Sequence, residues 1–157
     1  MRNLDELNVN ECGHPVTRKP PTAAQIAEFQ SNFGVTLPDE YLVFLRHSNG
    51  GHPERDSFRP KGLAEDVSWG VGRFYFLSDD HNDLEGLWAA SNEWRWALHS
   101  NIVPIGDDDG GNQILLSFDK QPPSVELCVH DEGMRIIHVA DSFGEFIDML
   151  SEDPDMI

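Results

Sequence analysis

The amino-acid sequence predicts an α+β domain in which a mostly antiparallel, twisted sheet of about five strands is covered by about four helices. In the first third of the chain, apolar residues recur at offsets of three and four, the spacing of amphipathic helices. In the last third, short apolar and alternating segments are separated by turn residues, which is typical of strands. Two helices, one strand, a third helix, a run of strands and a closing helix are predicted, an order that favours an α+β fold.

The first predicted helix begins after Thr22. The Thr22 hydroxyl and the Gln25 side chain have the spacing of a capping box, in which each side chain bonds the backbone N–H of the other residue. Gly34 is expected to end the helix, because glycine adopts the left-handed conformation of a C-terminal cap without steric cost. The apolar stripe between these ends consists of Ile26, Phe29 and Phe33.

The second predicted helix takes Pro38 as its first residue, where the missing N–H of proline costs no hydrogen bond. Asp39 and Glu40 place carboxylates at the positive end of the helix dipole. We expect the helix to end in Ser48-Asn49-Gly50-Gly51, because Asn and Gly tolerate the positive φ of a terminating turn. Its buried face is predicted to contain Tyr41, Leu42, Phe44 and Leu45.

The middle of the chain predicts a long charged loop, one strand and a third helix. Residues 52–70 carry seven charged side chains and are expected to be exposed. β-Branched and aromatic residues predict a strand over Val71–Leu77. Apolar residues at helical spacing predict a helix over roughly Leu84–Leu98. The acids before and at its start suit helix caps and are also candidates for partner binding: Asp79, Asp80, Asp83 and Glu85.

The remaining sequence predicts four strands and a closing helix. Pro104 is expected to mark a sheet edge or a bulge, because proline cannot donate to a ladder. Asp131-Glu132-Gly133 is expected to close a hairpin. Ser142 and Glu145 have capping-box spacing at the start of the closing helix. The strands are predicted over Ile102–Ile105, Gln113–Phe118, Val125–His130 and Met134–Val139.

The composition describes one acidic globular domain. The chain has 157 residues, 39% of them hydrophobic, and a net charge of −17. Residues 1–78 hold 8 basic and 10 acidic side chains, whereas residues 79–157 hold 3 basic and 18 acidic ones. Because phosphate binding requires a basic face, neither nucleic acid nor an anionic membrane is an expected partner. The acidic half favours attraction of a basic protein, and solubility alone is the alternative explanation of the charge.

The sequence indicates a polar N-terminal arm over residues 1–21 and a single domain over residues 22–157. The first residues lack the basic and apolar regions of a secretory signal, and no apolar run approaches the ~20 residues of a membrane span. Two cysteines are too few for a disulfide framework. We therefore expect a cytoplasmic protein with reduced thiols. The oligomeric state is left open.

Residues that could hold a metal do not form a recognised pattern. Asp107-Asp108-Asp109 resembles the start of a calcium loop, but Phe118 stands where that loop needs its last carboxylate, so a β-turn is favoured. Cys12-x-His14 and Cys128-x-His130 lack the spacing of zinc sites, and the second pair is expected to pack on one face of a strand. No motif of a known catalytic class is present. Neither a metal, a cofactor nor a catalytic residue is predicted.

The tryptophans near the third helix allow two interpretations. Trp94 and Trp96 project about 200° apart on a helix, so one core cannot bury both. Either the helix ends before Trp96 or one indole is exposed. Core packing is the first interpretation, and aromatic anchoring of a partner by Trp88 and Trp96 is the second.

Three short motifs, in this order, resemble those of the SUKH superfamily, the Smi/Knr-like proteins. The resemblance covers about residues 22–150. The motifs are Leu37-Pro38-Asp39-Glu40-Tyr41 leading to Phe44-Leu45 and Asn49-Gly50-Gly51, then Ile102-Val103-Pro104-Ile105-Gly106-Asp107 with Asp109-Gly110-Gly111-Asn112, and finally Ser142-Phe143 with Glu145-Phe146.

This resemblance implies an α+β fold and, for most bacterial members, the role of an immunity protein against a polymorphic toxin, commonly a nuclease or another enzyme with a basic surface. Fungal members are instead linked to the regulation of cell-wall synthesis through protein contacts. The family has no catalytic residues to carry over. The motif positions with an implied structural role are Leu37, Pro38, Tyr41, Phe44, Leu45, Asn49, Gly50, Gly51, Gly110 and Gly111.

Charge and resemblance together predict an immunity protein that binds a cognate toxin without catalysing a reaction. A regulatory scaffold is the second hypothesis, and a small enzyme or ligand-binding domain with a cleft between sheet and helices is the third. The residues expected to contact the toxin are Asp79, Asp80, Asp83, Glu85, Trp88, Trp96, Asp107, Asp108 and Asp109.

Overall fold

Five antiparallel strands form the central sheet of the computed structural model, which describes residues 1–64 and 67–152. Its strands run in the order β5-β6-β7-β8-β9, and β1-β2 and β3-β4 form two small separate sheets. The helices are α1 (Ala23–Phe33), α2 (Asp39–His47), α3 (Leu87–Ala97) and α4 (Phe143–Met149). The strands are β1 (Asn10–Glu11), β2 (His14–Pro15), β3 (Ser57–Phe58), β4 (Trp69–Gly70), β5 (Arg73–Phe74), β6 (Ile102–Asp107), β7 (Gln113–Ser117), β8 (Ser124–Val129) and β9 (Arg135–Ala140). The predicted α+β fold class is confirmed.

Helices lie on both faces of this sheet. Because side chains alternate along a strand, Ile114 and Leu116 of β7 point to one face and Leu115 points to the other. The larger core lies on the first face and includes apolar residues of α1, α2 and α4. The smaller core is formed by Ile102, Leu115 and Cys128, with Trp94 and Leu98 packed against it from α3 and its C-terminal cap.

The caps of the first two helices follow from local sequence. Thr22 and Gln25 form the complete capping box, and Gly34 ends α1 with a left-handed φ of 65°. Pro38 is the N-cap of α2 and not its first residue, a difference of one position. Gly50 and Gly51 supply the positive φ values after α2. Asn49 has no positive φ, and its buried side chain instead binds backbone groups.

The third helix begins later than predicted, at Leu87 and not at Leu84. Its N-cap is Gly86, and no acidic residue lies in its first turn. The backbone of Phe76 bonds to both Glu85 and Leu87, which holds the chain extended up to the helix start. The expectation that the four preceding acids cap this helix is therefore wrong.

The predicted strand over Val71–Leu77 is shorter, because its partners change along its length. Only Arg73 and Phe74 pair with β6 as a ladder. Phe74 also bridges to Gly51 on its other side, and Phe76 bridges to Gly86. The segment is extended, but its residues pair with three different partners: β6, Gly51 and Gly86.

The segment predicted as an exposed loop over residues 52–70 contains β3 and β4 and contributes to the core. Phe58 and Pro60 are buried, and β3 pairs with β4. The predicted loop charges Glu65 and Asp66 lie outside the described residues.

Residues 1–21, expected to be a polar arm, pack on the domain. Leu4 and Leu7 lie in a short 3-10 helix and are part of the larger core. Asn10 of β1 exchanges two backbone hydrogen bonds with His52. Two apolar side chains one turn apart were too weak a pattern to reveal this packing.

The bulge and the hairpin of the central sheet follow the predictions, whereas the capping box predicted at the start of the closing helix is only half formed. The ladder between β6 and β7 shifts register between Pro104 and Gly106, as expected for a bulge. β8 and β9 form the predicted hairpin. Ser142 accepts the Glu145 N–H at the start of α4, while the Glu145 carboxylate contacts Lys61. Among the described residues, no helix is long and apolar enough to cross a membrane.

Candidate partner-binding surface

Arg73 joins the two acidic segments that the sequence singled out. Its Nη1 lies 2.9 Å from Glu85 Oε1, and its Nη2 lies 3.2 Å from Asp107 Oδ2. Arg73 and Asp107 are direct partners between β5 and β6, and the bridge between Phe76 and Gly86 brings Glu85 to the same edge. We call these two acidic segments together the acidic rim and define it as Asp79, Asp80, Asp83, Glu85, Asp107, Asp108 and Asp109.

Asp107 is a largely buried acid of the rim. Its side chain retains 14% of its accessible surface. Burial raises the pKa of Asp107, although the positive charge and hydrogen bond of Arg73 act in the opposite direction. The Tyr75 hydroxyl donates to Gln113 at 2.7 Å and lies 3.4 Å from the Asp107 carboxylate, and burial also raises the pKa of Tyr75.

Asp108 holds the β6–β7 turn together. Its carboxylate accepts hydrogen bonds from the Gly110 N–H at 2.9 Å, the Asn112 N–H at 2.8 Å and the Asn112 side-chain amide at 2.8 Å. Gly111 supplies the positive φ of the turn, at 85°, whereas Gly110 does not. Asp108 therefore stabilises the turn, whether or not it also contacts a partner.

Asp109 is the acid of this turn that faces solvent. It is exposed, and within the described part of the chain it has no hydrogen bond or ion pair. Its carboxylate lies against Gly72, where a Cβ would meet it at 2.6 Å. Of the three aspartates predicted to accept cations, Asp109 is thus the most accessible.

The segment from Asp79 to Glu85 forms the other part of the rim. Asp79 accepts a hydrogen bond from Gln25 at 2.8 Å. Asp80 and Asp83 accept the backbone N–H two residues further on, which makes both of them turn-forming residues. Each of these carboxylates keeps lone pairs for a partner, since one oxygen can accept more than one hydrogen bond.

The two predicted aromatic anchors differ in exposure. Trp88 retains only 7% of its surface, because Phe29 and Phe33 pack against it and His81 stacks on it with centroids 3.6 Å apart. Trp88 is therefore a core residue, and its assignment as an exposed anchor is corrected. Trp96 is 90% exposed although α3 continues to Ala97.

A cleft of about 250 Å³ lies beside the rim at the outer edge of β5. Arg18 stacks on the Phe76 ring at 3.9 Å and pairs with Glu11 at 2.8 Å. His52 Nδ1 lies 2.8 Å from the Gly72 carbonyl oxygen. Within the described residues, no hydrogen bond joins Cys12, which also lines the cleft, to a base. The polar groups of the cleft are thus engaged in structural contacts.

The metal-ligand patterns do not converge in space. The described residues contain no group of three His, Cys, Asp or Glu side chains that could hold a metal ion. Cys128 is buried, and burial raises the pKa of its thiol. His130 is exposed and does not pack on the strand with Cys128, because β8 ends at Val129. Its ring lies 2.8 Å from the Gly110 carbonyl oxygen, and its backbone N–H donates to the Asn112 side-chain oxygen.

Two residues of this surface were missed at the level of sequence. Arg73 could not be singled out from the sequence, because only the register of β5 and β6 and the bridge between Phe76 and Gly86 place it between the two acids. His130 supports the turn of Asp108 from the neighbouring hairpin. Only the register of β7 and β8 brings it there, so no local pattern could have revealed it.

The motif residues of the second helix are mainly core residues. Leu37, Tyr41, Phe44 and Leu45 are all buried. Gly50 and Gly51 lie against Phe76, Phe74 and the N-terminal hairpin, and their positive φ values leave little room for a side chain. These positions therefore shape the edge of the sheet that carries the cleft and the rim.

Comparison with known proteins agrees with this architecture. A protein described as "SPbeta prophage-derived uncharacterized protein YokK" of Bacillus subtilis (strain 168) is 30% identical over 171 residues, which cover 98% of this chain and 85% of the relative. The model of the SMI1 / KNR4 family (SUKH-1) matches residues 20–149. Since that match spans most of the chain, the protein belongs to the SMI1 / KNR4 family (SUKH-1).

Proposed function

We propose that this protein is a cytoplasmic immunity protein that binds and neutralises a cognate polymorphic toxin, without turnover, through the acidic rim. Its family consists of immunity-like domains that are associated with protein partners and are generally non-enzymatic. The observation that carries the proposal is the position of Arg73, which gathers acids from two distant segments onto one edge of the sheet.

Inhibition would be steric and electrostatic. A toxin that acts on an anionic substrate such as nucleic acid needs cationic groups in its active site, and rim carboxylates can pair with those groups. The chain's net charge of −17 adds long-range attraction that speeds encounter at low salt. The toxin would then be held with its substrate-binding face covered.

The test is association of the purified protein with the product of a toxin gene adjacent to its own. Asp109→Asn and Asp80→Asn together should slow association severalfold at low salt and flatten its salt dependence, because rim charges act mainly on the association rate. Asp39→Asn and Asp131→Asn together remove the same charge from two exposed acids outside the rim and are the matched control. Unchanged association in the rim variant would contradict the use of this surface, and the absence of any complex would contradict the immunity role.

A further inference from the structure

The outer face of α3 carries the most exposed large apolar side chain of the described residues. Trp96 retains 90% of its surface. Trp94 lies nearly opposite Trp96 on the helix and packs on the smaller core. Trp88, two turns before Trp96, packs on the larger core. Trp96 therefore contributes little to folding and is free to contact a partner.

A carboxylate lies one helical turn from this indole. Glu93 precedes Trp96 by three residues, a spacing that places the two side chains side by side on a helix, with Cβ atoms about 5–6 Å apart. Glu93 is exposed and has no hydrogen bond or ion pair within the described ranges. The face thus presents a π surface beside an uncompensated negative charge.

This pair suits one kind of side chain best. A guanidinium can lie flat on an indole, where it is attracted by the π electrons, and its edge can donate hydrogen bonds to a neighbouring carboxylate. Arginine fits better than lysine because its planar group serves both contacts at once. The chain's charge of −17 further favours a cationic ligand over an anionic or neutral one.

We propose that Trp96 and Glu93 form a docking point for an arginine side chain of a basic protein partner. The identity of that partner as a toxin rests on the function proposed above, whereas the chemistry of the docking point does not. Trp96 lies about 14 Å along the helix axis from Leu87, which follows the rim residue Glu85. An interface of ordinary size, about 800 Å² on each partner, is wide enough to cover that distance.

The first experiment needs no toxin. A hexa-arginine peptide is titrated at low salt into the ¹⁵N-labelled protein, and the four tryptophan indole N–H signals are followed by NMR. We expect the Trp96 signal to shift and the buried Trp88 signal to stay. A hexa-glutamate peptide should move neither signal. Peptide binding that leaves the Trp96 signal in place would overturn the proposal.

Substitutions separate a specific pair from general attraction. Glu93→Gln and Trp96→Leu should each weaken peptide binding about two- to fivefold, the effect expected for an exposed cation–π contact and its carboxylate. Asp131→Asn removes the same charge from an exposed acid on the β8–β9 turn and should have a smaller effect. Equal weakening by Glu93→Gln and Asp131→Asn would overturn the proposal.

Dissociation of the toxin complex provides a second, independent test. If the complex forms and both α3 variants dissociate no faster than the wild type, the docking point is refuted while the immunity role stands. If the peptide moves the Trp96 signal but no toxin complex forms, the docking point stands and the immunity role is refuted.

Discussion

The side-chain amide of Asn49 pairs with the backbone of Leu77 as a neighbouring β-strand would. Its Oδ1 accepts the Leu77 N–H at 2.9 Å, and its Nδ2 donates to the Leu77 carbonyl oxygen at 2.9 Å. Nδ2 also donates to the Lys19 carbonyl oxygen at 2.9 Å. One side chain, 2% exposed, therefore connects the end of α2, the segment before α1 and the segment after β5.

Replacing Asn49 by alanine should destabilise the protein by about 2–4 kcal/mol, because three buried or half-buried backbone groups lose their partners. Asn49→Asp should cost at least as much at pH 7, since a carboxylate cannot donate to two carbonyl oxygens. Urea unfolding measures both losses. Asn92→Ala, on the exposed face of α3, serves as the control and should change stability by less than about 0.5 kcal/mol. A similar loss in Asn49→Ala and in the control would contradict this role.

Gly106 allows β5 to approach β6 closely. A Cβ at this position would enter the van der Waals radius of the Arg73 carbonyl oxygen, which is backbone and cannot rotate away. Gly106→Ala should therefore cost about 1–3 kcal/mol or more. Gly70→Ala is the matched control, because a Cβ there meets no heavy atom within 4 Å. Urea unfolding that shows equal losses for the two variants would refute the steric explanation.

Helices and strands with a complete local pattern could be predicted from the sequence. α1 combines a capping box, an apolar stripe and a terminal glycine, and the β8–β9 hairpin has alternation and a glycine turn. The start of α3 could not be predicted, because it depends on the pairing of Phe76 with Gly86, ten residues away. The packing of Leu4 and Leu7 likewise depends on contacts with distant parts of the core.

For the candidate site, composition identified the acids but not their relations. That Asp108 is bound within its own turn and Asp109 is exposed follows from turn geometry. The helical angle between Trp94 and Trp96 required that one indole be exposed if the helix continued, and α3 does continue past Trp96. The sequence left Trp88 open between core packing and partner anchoring, and its contacts with Phe29, Phe33 and His81 from a preceding loop decide for core packing.

The ionised Asp107 carboxylate is expected to lower the free energy of unfolding. Because its pKa is raised in the folded state, its ionised form opposes folding, and the protein loses stability as pH rises through the range between the unfolded and folded pKa values. In the Asp107→Asn variant the amide cannot ionise, so this loss of stability with rising pH does not occur. At pH 7 its free energy of unfolding should equal or exceed that of the wild type, while association with the partner slows.

Urea unfolding at several pH values tests this prediction. The difference between wild type and Asp107→Asn should shrink toward acid pH, where both forms are neutral. Tyr75 and Gln113 remain able to bond each other in the variant, so the buried hydroxyl keeps a partner. A loss of more than about 1 kcal/mol at pH 7 would show that pairing with Arg73 outweighs burial.

Lys61 fastens a loop to the outer edge of β9. Its backbone N–H donates to the Val139 carbonyl oxygen at 3.1 Å, and the Gly62 N–H donates to that of His138 at 2.8 Å. Its ammonium lies 2.8 Å from both Asp141 and Glu145. Lys61→Met, which keeps most of the stem, should speed hydrogen exchange of the Gly62 amide about two- to fivefold, the scale of exposed ion pairs.

The pH dependence of this loop contact follows from the pKa shifts of Asp141 and Lys61. Hydrogen bonds with Lys61 and His138 lower the pKa of Asp141, so its contribution is present above the ordinary carboxyl range and is lost as pH falls through the lowered pKa. Hydrogen bonds with Asp141 and Glu145 raise the pKa of Lys61. The contribution of Lys61 to stability therefore persists at neutral pH and is lost as pH rises through the raised pKa. After correction for intrinsic exchange, protection of the Gly62 amide should be constant near neutral pH and fall in acid. Lys120→Met, on the exposed β7–β8 turn, is the control, and equal protection in the two variants would show that Lys61 does not hold the loop.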